Sequence, residues 1–298
     1  MLIIMSHSYN FIHITLYINV NIMDKTITGL GRREAEFLSS ISKGGGQFVH
    51  EDAVRFWGSA AQASGRLHRL RKKNWVARVE RGKYVVIPLE AGVEREWSGD
   101  PYLVASSLVE HAAIAYSTAM RHWNWSGASE GPVYIQMTGR KNAKGKTVLG
   151  VEYRFVRVHP AKFFGHVPVL RTGTPVLVTD REKTLVDAGD DVDRAGGIDA
   201  FIRAVRSAAL EISWATLGDY GMRFPNRSAL KRLGFIIESE LPEIPGEGRD
   251  VLEVWRSHLS AGVVPLQPGT AEFGRISTRW RVRVNVERPG ANLTRRGN

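Results

Sequence analysis

Between Ser59 and Ile87 the chain reads SAAQASGRLHRLRKKNWVARVERGKYVVI, and this stretch narrows the fold more than any other. Ser59 is placed to cap a helix that runs to about Lys73, with Ala60, Ala63, Leu67 and Leu70 on its apolar face. Apolar runs follow at Val76–Val79 and Tyr84–Ile87, around the turn Glu80-Arg81-Gly82-Lys83. Gly82 can take the positive φ that a tight hairpin requires. A basic amphipathic helix followed at once by a short hairpin must bury one face of each against a common core, and few small folds do so in this order. From Arg66 to Lys83 there are eight Lys or Arg against a single acid, Glu80.

Two helices are predicted ahead of it. RREAEFLSSISKGGG puts Ala35, Leu38 and Ile41 at helical spacing and stops at Gly44-Gly45-Gly46. HEDAVRFW carries acids in its first turn and sets Ala53, Val54 and Trp57 on one face. Three helices and a hairpin give the order of a winged helix-turn-helix, assigned to residues 24–90. On the third helix Gln62, Arg66, Arg69 and Lys73 recur at i, i+4, i+7 and i+11, so one face would carry them together into a major groove. Gln and Arg suit adenine and guanine edges, while Lys72 and Lys73 would neutralise phosphates. Gly65 would permit close approach, Ser59 and the free amides of the helix start could grip a phosphate, and Arg81 and Lys83 would form the wing. A charge run is commonly only a solvated face. Here element order, turn chemistry and charge asymmetry agree on double-stranded DNA.

The net charge of +11 is uneven. Residues 24–90 hold 13 basic and 7 acidic side chains, residues 275–298 hold 7 and 1, and residues 91–274 come to −1. Attraction for a polyanion therefore sits at the two ends, and the middle offers a near-neutral surface to a protein or small molecule. The absence of cysteine removes disulfides and thiolate metal sites and fits a cytoplasmic location. Residues 1–23 are apolar but lack a basic n-region and a cleavage site, so we read them as a non-native or disordered extension rather than a membrane anchor. Residues 287–298 form a basic tail, with Arg288, Arg295 and Arg296 as an optional phosphate arm.

After a linker from Pro88 to Gly99, residues 100–286 are expected to form a mixed α+β domain. Helices are predicted at Tyr102–Val109, Ala112–Trp123, Asp180–Ala188, Ile198–Ala209, Trp214–Tyr220, Ser228–Ser239 and Val251–Leu259. Strands are predicted at Val133–Thr138, Gly150–Val158, Val167–Leu170, Pro175–Val178 and Trp280–Val286, with a basic loop at Gly139–Lys146. In the last strand Trp280, Val282, Val284 and Val286 alternate with Arg281, Arg283 and Asn285.

Several apparent catalytic signatures dissolve on inspection. The triple glycine at Gly44 is followed by no Lys-Ser/Thr and does not join a strand to a helix, so it is no phosphate loop. Asp180, Glu182 and Asp187 resemble a metal cluster. At helical spacing, however, Asp180 caps, Glu182 sits in the first turn, and Leu185 and Val186 face the core. No cofactor, metal or catalytic residue is expected.

The motifs VERGKYVVIP, DPYLVASSLV, AYSTAMRHW, VYIQMTGR, VTDREKTLVDA, RSALKRLGFIIE and TRWRVRVN, in this order across residues 31–285, resemble the AbiE-type antitoxins of type IV toxin–antitoxin systems. The resemblance implies an N-terminal winged helix that binds operator DNA and represses its own operon. It implies also a C-terminal domain that counteracts a nucleotidyltransferase-like toxin encoded next door, a non-enzymatic role. Arg232, Gly234 and Glu238, with Glu182 and Asp187, would mark that antitoxin domain as packing and capping residues. The alternative is a one-component transcriptional repressor whose C-terminal domain senses a ligand; a metal-dependent nuclease using Asp180, Glu182 or Asp187 is a further one.

Overall fold

The computed structural model describes residues 30–88, 99–125, 130–141, 145–171, 173–270 and 273–286. The N-terminal extension, residues 89–98 of the expected linker, and the basic tail lie outside the described residues.

The first part contains α1 (Arg32–Lys43), β1 (Gln47–Val49), α2 (His50–Trp57), α3 (Ala60–Lys72), β2 (Val76–Glu80) and β3 (Lys83–Val86). The strands form an antiparallel sheet in the order β1-β3-β2. The short strand β1 was not anticipated: three residues after a glycine run give no period to read. The core is built from Phe37, Phe48, Trp57, Leu67, Leu70 and Trp75, and full burial of each such side chain contributes about 1.5–3 kcal/mol. Ala35 and Ala60, both expected inside, are exposed. The core-facing arc of α1 centres on Phe37 and Leu38, and that of α3 on Ala63, Leu67 and Leu70, because larger side chains gain more from burial than alanine does.

The second part opens with α4 (Pro101–Leu108), β4 (Ala112–Ile114) and α5 (Tyr116–His122), then β5 (Val133–Met137), β6 (Gly145–Val148), β7 (Val151–Arg157), β8 (His166–Arg171) and β9 (Thr174–Thr179). These strands make one mixed sheet in the order β6-β7-β5-β4-β9-β8. The expected single helix at Ala112–Trp123 is instead a central strand followed by a helix. β4 pairs antiparallel with β5 and parallel with β9, and left-handed φ values of 50° at His111 and 54° at Tyr116 break any helix on either side of it. A wholly apolar triplet buried in a sheet cannot be told from buried helix by its period. Part of the presumed loop Gly139–Lys146 is likewise the start of β6, registered against β7 from Gly145↔Arg154 to Val148↔Val151.

Five helices complete the chain: α6 (Arg181–Asp190), α7 (Ile198–Ala208), α8 (Trp214–Arg223), α9 (Arg227–Glu240) and α10 (Gly246–Ser257). A small sheet of β10 (Val264–Pro265), β11 (Ile276–Ser277) and β12 (Val282–Arg283) closes it. Ladder pairing in the terminal strand covers only β12; Trp280, Val282 and Val284 are buried as their alternation requires, but Asn285 of the opposite face is buried too, held by Gln267 and Thr270, and Val286 is only half-buried. Residues of α9 hold that segment. A Cβ on Gly234 would run into the Trp280 ring, Glu238 accepts from Trp280 Nε1 (2.6 Å) and Arg279 Nε (2.8 Å), and Arg232 donates to the Gly189 and Pro265 carbonyls (3.0 and 2.9 Å). Asp180 caps α6 by accepting from the Lys183 amide (2.8 Å), and Leu185 and Val186 face the core, as the spacing predicts.

The two parts share a core. Val79 and Val85 of the hairpin pack with Leu103, Val104 and Leu108 of α4. Around this contact Gln47 Nε2 donates to the Leu103 carbonyl (2.5 Å) and Lys83 Nζ to that of Ser107 (2.9 Å). Among the described residues no helix is long and apolar enough to cross a membrane.

Candidate nucleic-acid interface

The orientation of α3 is set by its neighbours. Gly58, at φ 86°, ends α2 in a left-handed cap, and Ser59 caps α3 directly after it, its hydroxyl accepting from the Gln62 amide (3.3 Å). The two helices are therefore joined with no spare residue. Ala63, Leu67 and Leu70 face inward; at 3.6 residues per turn the ridge opposite them is Ala61, Gly65, His68 and Lys72, and all four are exposed.

The basic row expected to point outward is one flank of that ridge. Gln62, Arg69 and Lys73 are exposed, and Arg66 is half-buried. Glu34 of α1, only 8 % exposed at its side chain, lies 3.9 Å from Arg66 Nη1 and 4.0 Å from Arg69 Nε. Its other oxygen accepts from the Gly31 amide (3.1 Å), and the Arg66 guanidinium also sits over the Trp57 ring at 5.9 Å. Glu34 is thus an internal counter-charge that orients both arginines. Sequence reasoning missed it because an acid in a first helical turn reads as a dipole partner, and its cations are over thirty residues away. None of these side chains is buried against the second part of the molecule.

The hairpin tip is divided. Arg81 is exposed, whereas the Lys83 ammonium is bonded to Ser107 and lies 3.8 Å from Glu80. Glu80 in turn meets Lys141 (3.2 Å) and Lys146 (3.8 Å) of the second part. Of the two wing cations named from the sequence, one is open to an external phosphate and the other anchors the hairpin to the body.

Gly65 has no internal reason to be glycine. It lies mid-helix at an ordinary helical φ, and a Cβ there would meet nothing within 4 Å. Glycine in a helix interior is less favourable than alanine by about 0.8–1.0 kcal/mol.

The three carboxylates that resembled a metal cluster serve separate partners. Asp180 also accepts from the Tyr220 hydroxyl (2.8 Å), Glu182 from the Ser213 amide (2.6 Å), and Asp187 from Gln136 (2.8 Å) and Lys183. Among the described residues no three His, Asp or Glu side chains are grouped to hold a metal.

No protein-family model matches the chain, and no curated protein matches it. Among solved structures, the crystal structure of the RV2827C protein from Mycobacterium tuberculosis is similar at TM-score 0.59 and 14 % identity, over 86 % of this chain and 92 % of that one. At that identity the likeness concerns the fold, and the mixed α+β arrangement is common to both.

Proposed function

We propose that residues 32–86 form a winged helix-turn-helix that lays α3 in the major groove of operator DNA, and that the protein is the autoregulatory antitoxin of a toxin–antitoxin pair acting in the cytoplasm. The observation that carries this reading is the exposed ridge of α3: thirteen residues, hence about 20 Å of helix, with cations on and beside it and an uncrowded glycine at its centre. A major groove about 12 Å wide admits such a helix. Gln62, Gly65, His68, Arg69, Lys72 and Lys73 would meet the duplex, Arg66 and Ser59 would support them, and Arg81 would reach the flanking phosphate. The remaining body, whose sequence motifs resemble AbiE-type antitoxins, would counteract a nucleotidyltransferase-like toxin.

Two measurements test the two halves. Fluorescence anisotropy with the DNA upstream of the gene should show tighter binding than to a scrambled duplex at 0.15 M salt; equal binding to both removes operator recognition. Co-expression with the adjacent gene should restore growth, and persistent toxicity removes the antitoxin role. A single substitution adds a sharper check. Gly65→Ala should raise the stability of the free protein by about 0.8–1.0 kcal/mol in denaturant unfolding while weakening operator binding, because the methyl lies where DNA must approach. A variant that is stabilised and binds as before would show that the groove does not contact this face.

A further inference from the structure

A concavity of about 840 Å³ opens on the β5–β7 side of the sheet, within the range of small-molecule sites. Five cations line it: Arg140, Lys141, Arg154, Arg157 and Arg194. Two carboxylates, Asp191 and Asp193, line it as well. Arg154 is held by Glu152 (2.8 Å) and the Tyr134 hydroxyl (3.0 Å), and Arg194 by Asp191. Arg157 bonds a neutral acceptor, the Thr138 carbonyl (3.3 Å), and neither it nor Arg140 has a carboxylate partner among the described residues. Guanidinium groups in this state suit the planar, bidentate capture of phosphate oxygens. The two carboxylates would repel a ligand that is anionic throughout and would accept from hydroxyl or amino donors. A ligand with phosphates at one end and hydrogen-bond donors at the other satisfies both; the Tyr134 and Phe155 rings, on opposite faces of the sheet, are part of the lining.

Lys141 gives this concavity a second role. It lines the cavity, yet its ammonium also bonds Glu80 of the hairpin (3.2 Å) and the Leu108 carbonyl (2.6 Å), and it lies over the Phe155 ring at 4.7 Å. Glu80 precedes the exposed Arg81 at the hairpin tip. An anion in the cavity therefore competes with Glu80 for the same cation. We propose that the β5–β7 concavity is a nucleotide site, taking a nucleoside polyphosphate through Arg140 and Arg157, and that its occupancy loosens the Lys141–Glu80 tether and so alters the hairpin's fit to DNA. The coupling half rests on the DNA-binding function proposed above; the binding half does not.

The test uses the full-length protein. Isothermal titration with ATP, GTP and inorganic pyrophosphate should show a nucleotide binding at least tenfold more tightly than pyrophosphate, and at least tenfold more weakly to Arg140→Ala/Arg157→Ala, two exposed positions whose change leaves the fold intact. No binding by any probe at millimolar concentration, equal binding of pyrophosphate, or undiminished binding to the double variant overturns the nucleotide site. Operator anisotropy with and without the nucleotide reads the coupling: the DNA affinity should change, and Glu80→Gln, which removes the competitor for Lys141, should abolish that change while nucleotide binding persists and tightens. A DNA affinity indifferent to nucleotide overturns the coupling. Failure of the protein to bind DNA at all refutes the operator reading and leaves the titration to decide the site.

Discussion

Lys183→Ala should remove about 3–5 kcal/mol of folding stability, the usual consequence of stripping one partner from a buried ion pair. Lys183 is fully buried. Its ammonium is paired with Asp187 one helical turn on and lies 5.2 and 5.3 Å from the centres of the Phe164 and Phe224 rings. Burial pushes the Asp187 carboxyl up, with the Lys183 ammonium and the Gln136 amide pulling it back. Once the ammonium is gone, only the amide opposes burial, and the carboxyl binds a proton more readily folded than unfolded. Over the window between the unfolded value of about 3.9 and the raised folded value, the native state holds more protons, so stability falls as pH rises. The loss in Lys183→Ala should therefore be largest at pH 7 and shrink towards pH 4. Guanidinium unfolding at the two pH values measures it. Lys183→Met/Asp187→Asn, which keeps an acceptor for Gln136 and buries no charge, should recover at least half of the loss. A double variant as unstable as the single, or a loss indifferent to pH, would place the effect in packing around Phe164 and Phe224 instead.

What the sequence makes legible here is whatever is local. Ser59 and Asp180 announce helix starts because a cap and its amides lie within three residues, and the hairpin at Gly82 announces itself because a positive φ is needed at one position. The alternation of Trp280, Val282 and Val284 marks burial although the ladder there pairs only two residues. β1 and β4 escape because each is short and its identity as strand comes from a partner far along the chain, β3 and β9; β6 escapes although its partner β7 follows after a two-residue turn, because its four residues hold a single apolar side chain, Val148. The candidate DNA-binding face shows the same division. Its helix, its charge and its glycine are visible in sequence, but the rotation of the helix is fixed by the core. The row Gln62, Arg66, Arg69 and Lys73 stands out by its chemistry, one residue round the helix from the ridge that the core leaves outermost. With Ala63, Leu67 and Leu70 inward, that ridge is Ala61, Gly65, His68 and Lys72. The Lys141–Glu80 contact, sixty-one residues apart in sequence, leaves no local trace at all.

That rotation yields the functional prediction with the largest effect. His68→Glu/Lys72→Glu reverses the outermost ridge of α3, at two exposed side chains with no ion pair or hydrogen bond among the described residues. The fold should therefore be unaffected, as far-ultraviolet circular dichroism would register. Each lost contact to a base or its flanking phosphate is worth about 1–3 kcal/mol, and each new carboxylate adds repulsion from the backbone. Operator affinity should fall by roughly 2–6 kcal/mol, which is at least about thirty-fold, and the slope of log affinity against log salt should flatten by about 0.9 for each phosphate no longer neutralised. Arg66→Ala should cost less, because that guanidinium is shared with Glu34 and the Trp57 ring and faces the duplex only from the flank. The order of the two effects decides the geometry. If Arg66→Ala is the more damaging, the helix docks on the flank that Glu34 organises, and Gly65 is not its point of closest approach. If neither variant changes affinity or salt slope, α3 is not the element that enters the groove, and the positive charge of this part is only a solvated surface.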